Sequence, residues 1–207
     1  MNDVSYVPYL SHLRIVVDAH EKMLQYVAEH GQALVADHSF EKTAQGHATV
    51  VVVFCATALE CYIYGYASRS LGESYAQRHI EKLDLLSKWI LVPKLVTGKA
   101  IRSDQKAIQF LRKLIKARNG VVHLKGKDFK PGCLKEQTAN VVEANHLVLE
   151  SAVSALQCIG ELGQALHQLD ADEPGARLLA EFLTAYPPYA LKNVEKRAQS
   201  GATDSPV

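Results

Sequence analysis

The octapeptide from Lys116 to His123, LysAlaArgAsnGlyValValHis, brings an arginine, an amide and a histidine close together. Histidine takes and gives protons near neutral pH, and arginine offers a planar fork of donors matched to phosphate oxygens. Those two abilities suit cleavage of RNA, because RNA carries its own nucleophile, the 2′-OH, beside a phosphodiester. The site then needs a group that moves protons and a cation that stabilises the crowded, doubly charged phosphorane. That chemistry requires no metal and no cofactor. His123 is the candidate general acid or base, Arg118 the candidate ligand of the scissile phosphate, and Asn119 a group that positions substrate or the histidine.

The setting is basic. From Lys94 to Lys135 there are twelve Lys or Arg and two acids, Asp104 and Asp128, so this stretch carries about +10 in a chain whose net charge is +1. Such asymmetry hints at an anionic ligand for the central segment, and Lys113, Lys116, Lys125 and Lys127 are the candidate RNA-binding cations; a lysine-rich solvated helix face explains the charge equally well. Taken singly the motif residues also have plain structural readings: a histidine satisfied by backbone, an arginine in a surface ion pair, and an asparagine capping a helix beside Gly120.

The elements that must position these residues are helical throughout. Pro8 to Ala36 spaces Leu10, Leu13, Val17, Met23, Leu24, Val27 and Leu34 as an amphipathic helix. Glu41 to Leu71 contains a run, Ala48 to Ala67, that is apolar all round with Glu60 as its only charge. Its length permits a membrane span, but Glu60, two threonines and the lack of basic flanks favour the centre of a bundle. Glu73 to His79 reads as a loop or a short helical turn. Leu83 to Val92 is short and apolar, with Pro93 expected to stop or kink it and Thr97-Gly98-Lys99 to turn.

A helix capped by Ser103 or Asp104 buries Ile108, Phe110, Leu111, Leu114 and Ile115, leaves Lys106, Arg112, Lys113 and Lys116 outside, and is expected to stop at Asn119-Gly120. Leu124 to Leu134 is then a basic loop. A long helix from Lys135 to Leu169 and a shorter one from Ala176 to Tyr186 follow, separated at Pro174-Gly175. The reading is one helical domain over residues 1–186, with residues 187–207 a disordered tail.

An Arg followed by a polar residue and, four to six residues on, a His is the signature of the HEPN superfamily of helical domains. Arg118, Asn119 and His123, four residues lying between the Arg and the His, resemble it. So do the long first helix, the central apolar helix with its AlaLeuGluCysTyrIle stretch, and the long final helix, a likeness covering most of Leu10 to Leu169. The resemblance implies an all-α, HEPN-like bundle of four to five main helices and a metal-independent endoribonuclease leaving 2′,3′-cyclic phosphate ends. It also implies a homodimer with a composite cleft, and a setting in phage defence, stress response or a toxin–antitoxin pair, where an antitoxin or regulatory protein masks the cleft.

Five residues along an ideal helix turn about 140°, so Arg118 and His123 do not share a face, whereas Asn119 and His123 do. Either the arginine reaches around, or the helix ends near Gly120, or two motifs meet across a dimer; the resemblance implies the third. Similar proteins carry an acid on the central helix near the motif, so Glu60 is expected to orient Arg118 or hydrogen-bond His123, unless it is simply solvated. Tyr62, Tyr64 and Tyr66 point in several directions and read as packing residues before base-stacking ones.

Cys55, Cys61, Cys133 and Cys158 have no C-x-x-C spacing and read as reduced thiols. The N-terminal MNDVSYVPYL lacks a secretory pattern, which places the expected location in the cytoplasm, away from membranes. No Ser, His and Asp arrangement, glycine-rich phosphate loop or H-E-x-x-H motif is evident. A non-catalytic helical dimer that binds RNA, nucleotide or protein is the competing reading.

Overall fold

A helix without a polar face needs packing partners, and four helices contact this one. In the computed structural model, which describes residues 8–30, 38–122 and 147–185, the apolar run forms helix α2 (His38–Leu71), 34 residues long. Helix α1 (Pro8–His30) packs along it, and α3 (Leu85–Thr97), α4 (Lys106–Val122) and α5 (Ala155–Leu169) also touch it. Val51, Val52, Cys55, Leu59, Tyr62, Ile63 and Tyr66 are accordingly buried. By length and composition Ala44–Leu71 is apolar enough to cross a membrane, and half of its apolar window is buried inside the protein. Helical residues 147–153 lead into α5, and α6 (Pro174–Ala185) closes back on α5. Every regular element among the described residues is helical, so the fold is all-α.

Three boundaries differ from expectation for identifiable reasons. Helix α3 runs through Pro93 instead of stopping there, with Pro93 buried beside Trp89 and Val92. Its start is fixed by Asp84, whose Oδ1 accepts from the Ser87 amide at 3.0 Å, and its end by Gly98 in the left-handed region, φ 77°. Helix α4 passes through Asn119-Gly120 to Val122; Gly120 there is an ordinary, exposed helical residue with open space around its Cα. The expected long final helix is distorted at Ser154 (φ −92°, ψ 1°), where the hydroxyl donates to the Glu150 carbonyl at 3.2 Å and shares it with the Ser154 amide at 3.3 Å. Pro174 is the first residue of α6, where a missing N–H costs nothing. The segment after Leu71 is a three-residue turn, Glu73–Tyr75, running into a π-helical turn, Ala76–Ile80. The expected basic loop 124–134, the first part of the Lys135 helix and the C-terminal tail lie outside the described residues.

Polar groups pin the last connection onto α2. Glu173 is buried and its Oε1 accepts from Tyr62 Oη (3.3 Å), Arg69 Nη2 (2.9 Å) and the Gly175 amide (3.3 Å). Tyr66 Oη donates to Asp170 at 2.6 Å. Burial first, then Glu173 for Tyr62 and the hydrogen bond to Asp170 for Tyr66, push both phenols well above their ordinary range, so each remains a donor. Tyr62 also stacks on Trp89 (ring centroids 5.9 Å apart) and meets Tyr9 edge-on at 5.2 Å. Tyr62 and Tyr66 are thus packing residues, while Tyr64 is partly exposed and donates to Glu73.

Two stability predictions arise here. A Cβ on Gly163 of α5 would lie 2.4 Å from the Ala180 backbone nitrogen of α6 and 2.5 Å from Leu179 Cβ. Backbone cannot yield as a side-chain tip does, so Gly163→Ala is expected to cost about 3 kcal/mol in urea unfolding, the upper part of the overpacking range. Gly46→Ala, with nothing within 4 Å of the new atom, is expected to gain about 0.5–1 kcal/mol.

His20 of α1 is buried, with Nε2 3.4 Å from the Val153 carbonyl, and burial lowers its pKa. Because the folded value lies below the unfolded one of about 6.5, the unfolded chain takes the proton first. The contribution to stability is therefore complete above about pH 6.5 and declines as pH falls through the folded value. Thermal unfolding between pH 7.5 and 5 should show a smaller pH-dependent drop in Tm for His20→Leu than for wild type; parallel curves would refute the assignment.

Candidate functional site

Arg118 and Asn119 sit near the C-terminal end of α4, whose buried stripe is Ala107, Ile108, Leu111, Leu114 and Ala117. That stripe turns Lys106, Arg112, Lys113 and Lys116 outward, as the periodicity predicts. Arg118 is half-buried and Asn119 exposed, and Nη1 of the arginine donates to Asn119 Oδ1 at a long 3.4 Å. No carboxylate pairs with Arg118 among the described residues. Asn119, with its oxygen turned to the arginine, keeps an amide NH2 to offer. His123 is the residue after the last described position of α4 and, with Lys125 and Lys127, lies outside the described residues.

Because α4 continues to Val122, a helix end at Gly120 is not how the arginine and the histidine come together. Of the cations in the described part, Lys116 is exposed and Lys113 faces Glu150 at 3.7 Å, both side chains more than half exposed. An exposed pair at that distance contributes little and leaves Lys113 available to a phosphate.

Glu60, expected to orient Arg118 or hydrogen-bond His123, has a different recorded partner. Its Oε1 accepts from Lys88 Nζ at 2.6 Å, joining α2 to α3. The lysine side chain is only 4% exposed and the glutamate 41%. A buried ammonium needs an acceptor at hand, and Glu60 is the acceptor α2 supplies. Lys88 was legible only as the single cation within the apolar stretch Leu83 to Val92, a weak signal that gave no partner.

Burial pushes the thiols of Cys55, Cys61 and Cys158 upward, and Cys55 and Cys158 lie fully inside the core. Comparison with protein-family models, curated proteins and solved structures finds no match to this chain.

Proposed function

We propose that this chain is a HEPN-type helical domain acting, as a homodimer in the cytoplasm, as a metal-independent endoribonuclease. The observation that carries the reading is Arg118: a guanidinium without a carboxylate partner among the described residues, beside Asn119 on the outward end of a basic helix, five positions before His123. A cation so placed can bind a phosphodiester, and the histidine supplies the proton transfer that in-line attack by the 2′-OH demands. Because five positions along an ideal helix turn about 140°, the second copy is taken to complete the cleft. The products are a 2′,3′-cyclic phosphate and a 5′-hydroxyl. A toxin, phage-defence or stress-response effector with an antitoxin or regulatory partner is the setting such an activity fits.

Purified protein incubated with a mixed single-stranded RNA pool in EDTA should yield fragments with cyclic phosphate ends. RNA left intact, alone and with cell extract added, would overturn the enzyme reading. One observation favours a non-catalytic binding module: Glu60, the acid expected at the motif, pairs with Lys88 instead. RNA binding without cleavage in the same assay would select that module.

A further inference from the structure

Of the seven large hydrophobic side chains exposed among the described residues, three lie together around one groove: Tyr75, Leu91 and Leu95, each about 40–48% exposed. The groove has a volume of about 520 Å³ and runs between the turn after α2 and the outer face of α3, with the buried Ile80 and the half-buried Leu83 also lining it. Tyr75 and His79, one helical turn apart, present a ring pair with centroids 4.7 Å apart and planes at 45°. Lys94, on the same α3 face as Leu91 and Leu95, is exposed and has no ion pair among the described residues. None of these residues belongs to the Arg118 motif.

We infer that this groove binds one nucleotide unit of single-stranded RNA, its base against Tyr75 and His79 among the leucines and its phosphodiester on Lys94. The inference rests on the RNA reading above and adds a second contact point to it. Each partner matches by chemistry. Aromatic faces and aliphatic walls hold a flat base without regard to sequence. A volume of this size falls within the range of small-molecule pockets and accommodates a base with its ribose. The lone ammonium matches the single charge of an internal phosphodiester, whereas a free nucleoside di- or triphosphate would leave charges unmet. The exposed walls also leave the groove open, so a chain can enter and leave.

The test measures binding apart from cleavage. A fluorescein-labelled, 2′-O-methyl single-stranded RNA lacks the nucleophile, so its anisotropy reports affinity of the full-length wild-type chain whatever its activity. Tyr75→Ala should weaken binding by about 5- to 100-fold, the range expected for one base stack, and Tyr75→Phe should leave it unchanged. Lys94→Ala should lower the dependence of log affinity on log salt by about 0.7, one single-strand phosphate. Both side chains are exposed, and matching circular dichroism spectra check that the variants fold. Wild-type affinity in both Tyr75→Ala and Lys94→Ala, or no RNA binding by wild type, would overturn the inference. AMP competing as strongly as RNA would overturn it in favour of a mononucleotide pocket. Tyr75-dependent binding by a chain that cuts no RNA would keep the groove and discard the nuclease, while cleavage with binding indifferent to Tyr75 and Lys94 would do the reverse.

Discussion

His123→Ala is expected to slow RNA cleavage by about 10²- to 10⁴-fold, the contribution of one general acid or base, while changing RNA affinity by less than about tenfold. The split follows from the division of labour in the proposed site. Affinity for RNA comes mainly from cations on phosphates, and removing the imidazole deletes none of them. The proton transfers, by contrast, have no second histidine in the Lys116–His123 motif to fall back on. Single-turnover rates on one RNA, paired with anisotropy on its 2′-O-methyl counterpart, separate the two effects. Equal rates in wild type and variant would exclude His123 from the chemistry, and a parallel loss of rate and affinity would make it a binding residue.

The second large effect concerns Glu60. Glu60→Ala is expected to destabilise the fold by about 3 kcal/mol, because it leaves the Lys88 ammonium, 4% exposed, without its acceptor. Lys88→Met should cost less than about 1 kcal/mol, since Glu60, 41% exposed, can be hydrated once released. The double variant should recover most of the loss, the buried charge having gone with its partner. Urea unfolding of the four proteins closes the cycle. The stable double variant also answers the question of role: cleavage at the wild-type rate there assigns Glu60 to the α2–α3 joint, and a cleavage defect without a stability defect returns it to the motif.

Most of the fold was legible, because helical periodicity is written in the side chains that face the core. The outward set of Lys106, Arg112, Lys113 and Lys116 and the buried set of Ile108, Leu111 and Leu114 fall as the 3.6-residue spacing dictates. Boundaries were read less well where local signals met tertiary packing. Pro93 signals a stop, yet it lies buried within α3; Asn119-Gly120 signals a C-cap, yet α4 carries through it to Val122. The local distortion at Ser154 comes with a serine hydroxyl sharing the Glu150 carbonyl with its own amide, a detail that composition does not record. The candidate site was legible as residue types and spacing, Arg118 with Asn119, but the pairings of the residues named for it were not. Glu60 and Lys88 are 28 positions apart and meet only through the packing of α2 on α3. The Tyr75 and His79 pair was hidden in a segment read as a loop or turn; its four-residue spacing was the available signal.

The all-round apolar character of α2 has a consequence for biosynthesis. The chain is made from its N-terminus, so α1 is already present when α2 emerges, but α5 begins 84 positions after α2 ends. At about 5–20 residues per second the ribosome exposes the uncovered side of α2 for roughly 4 to 17 s before that helix exists. During this interval a segment long and apolar enough to span a bilayer is covered first by α1 and then by α3 and α4 as each emerges, while the side that meets α5 stays bare. Slowing translation downstream of Leu71 therefore lengthens the time for which that side of α2 depends on chaperones.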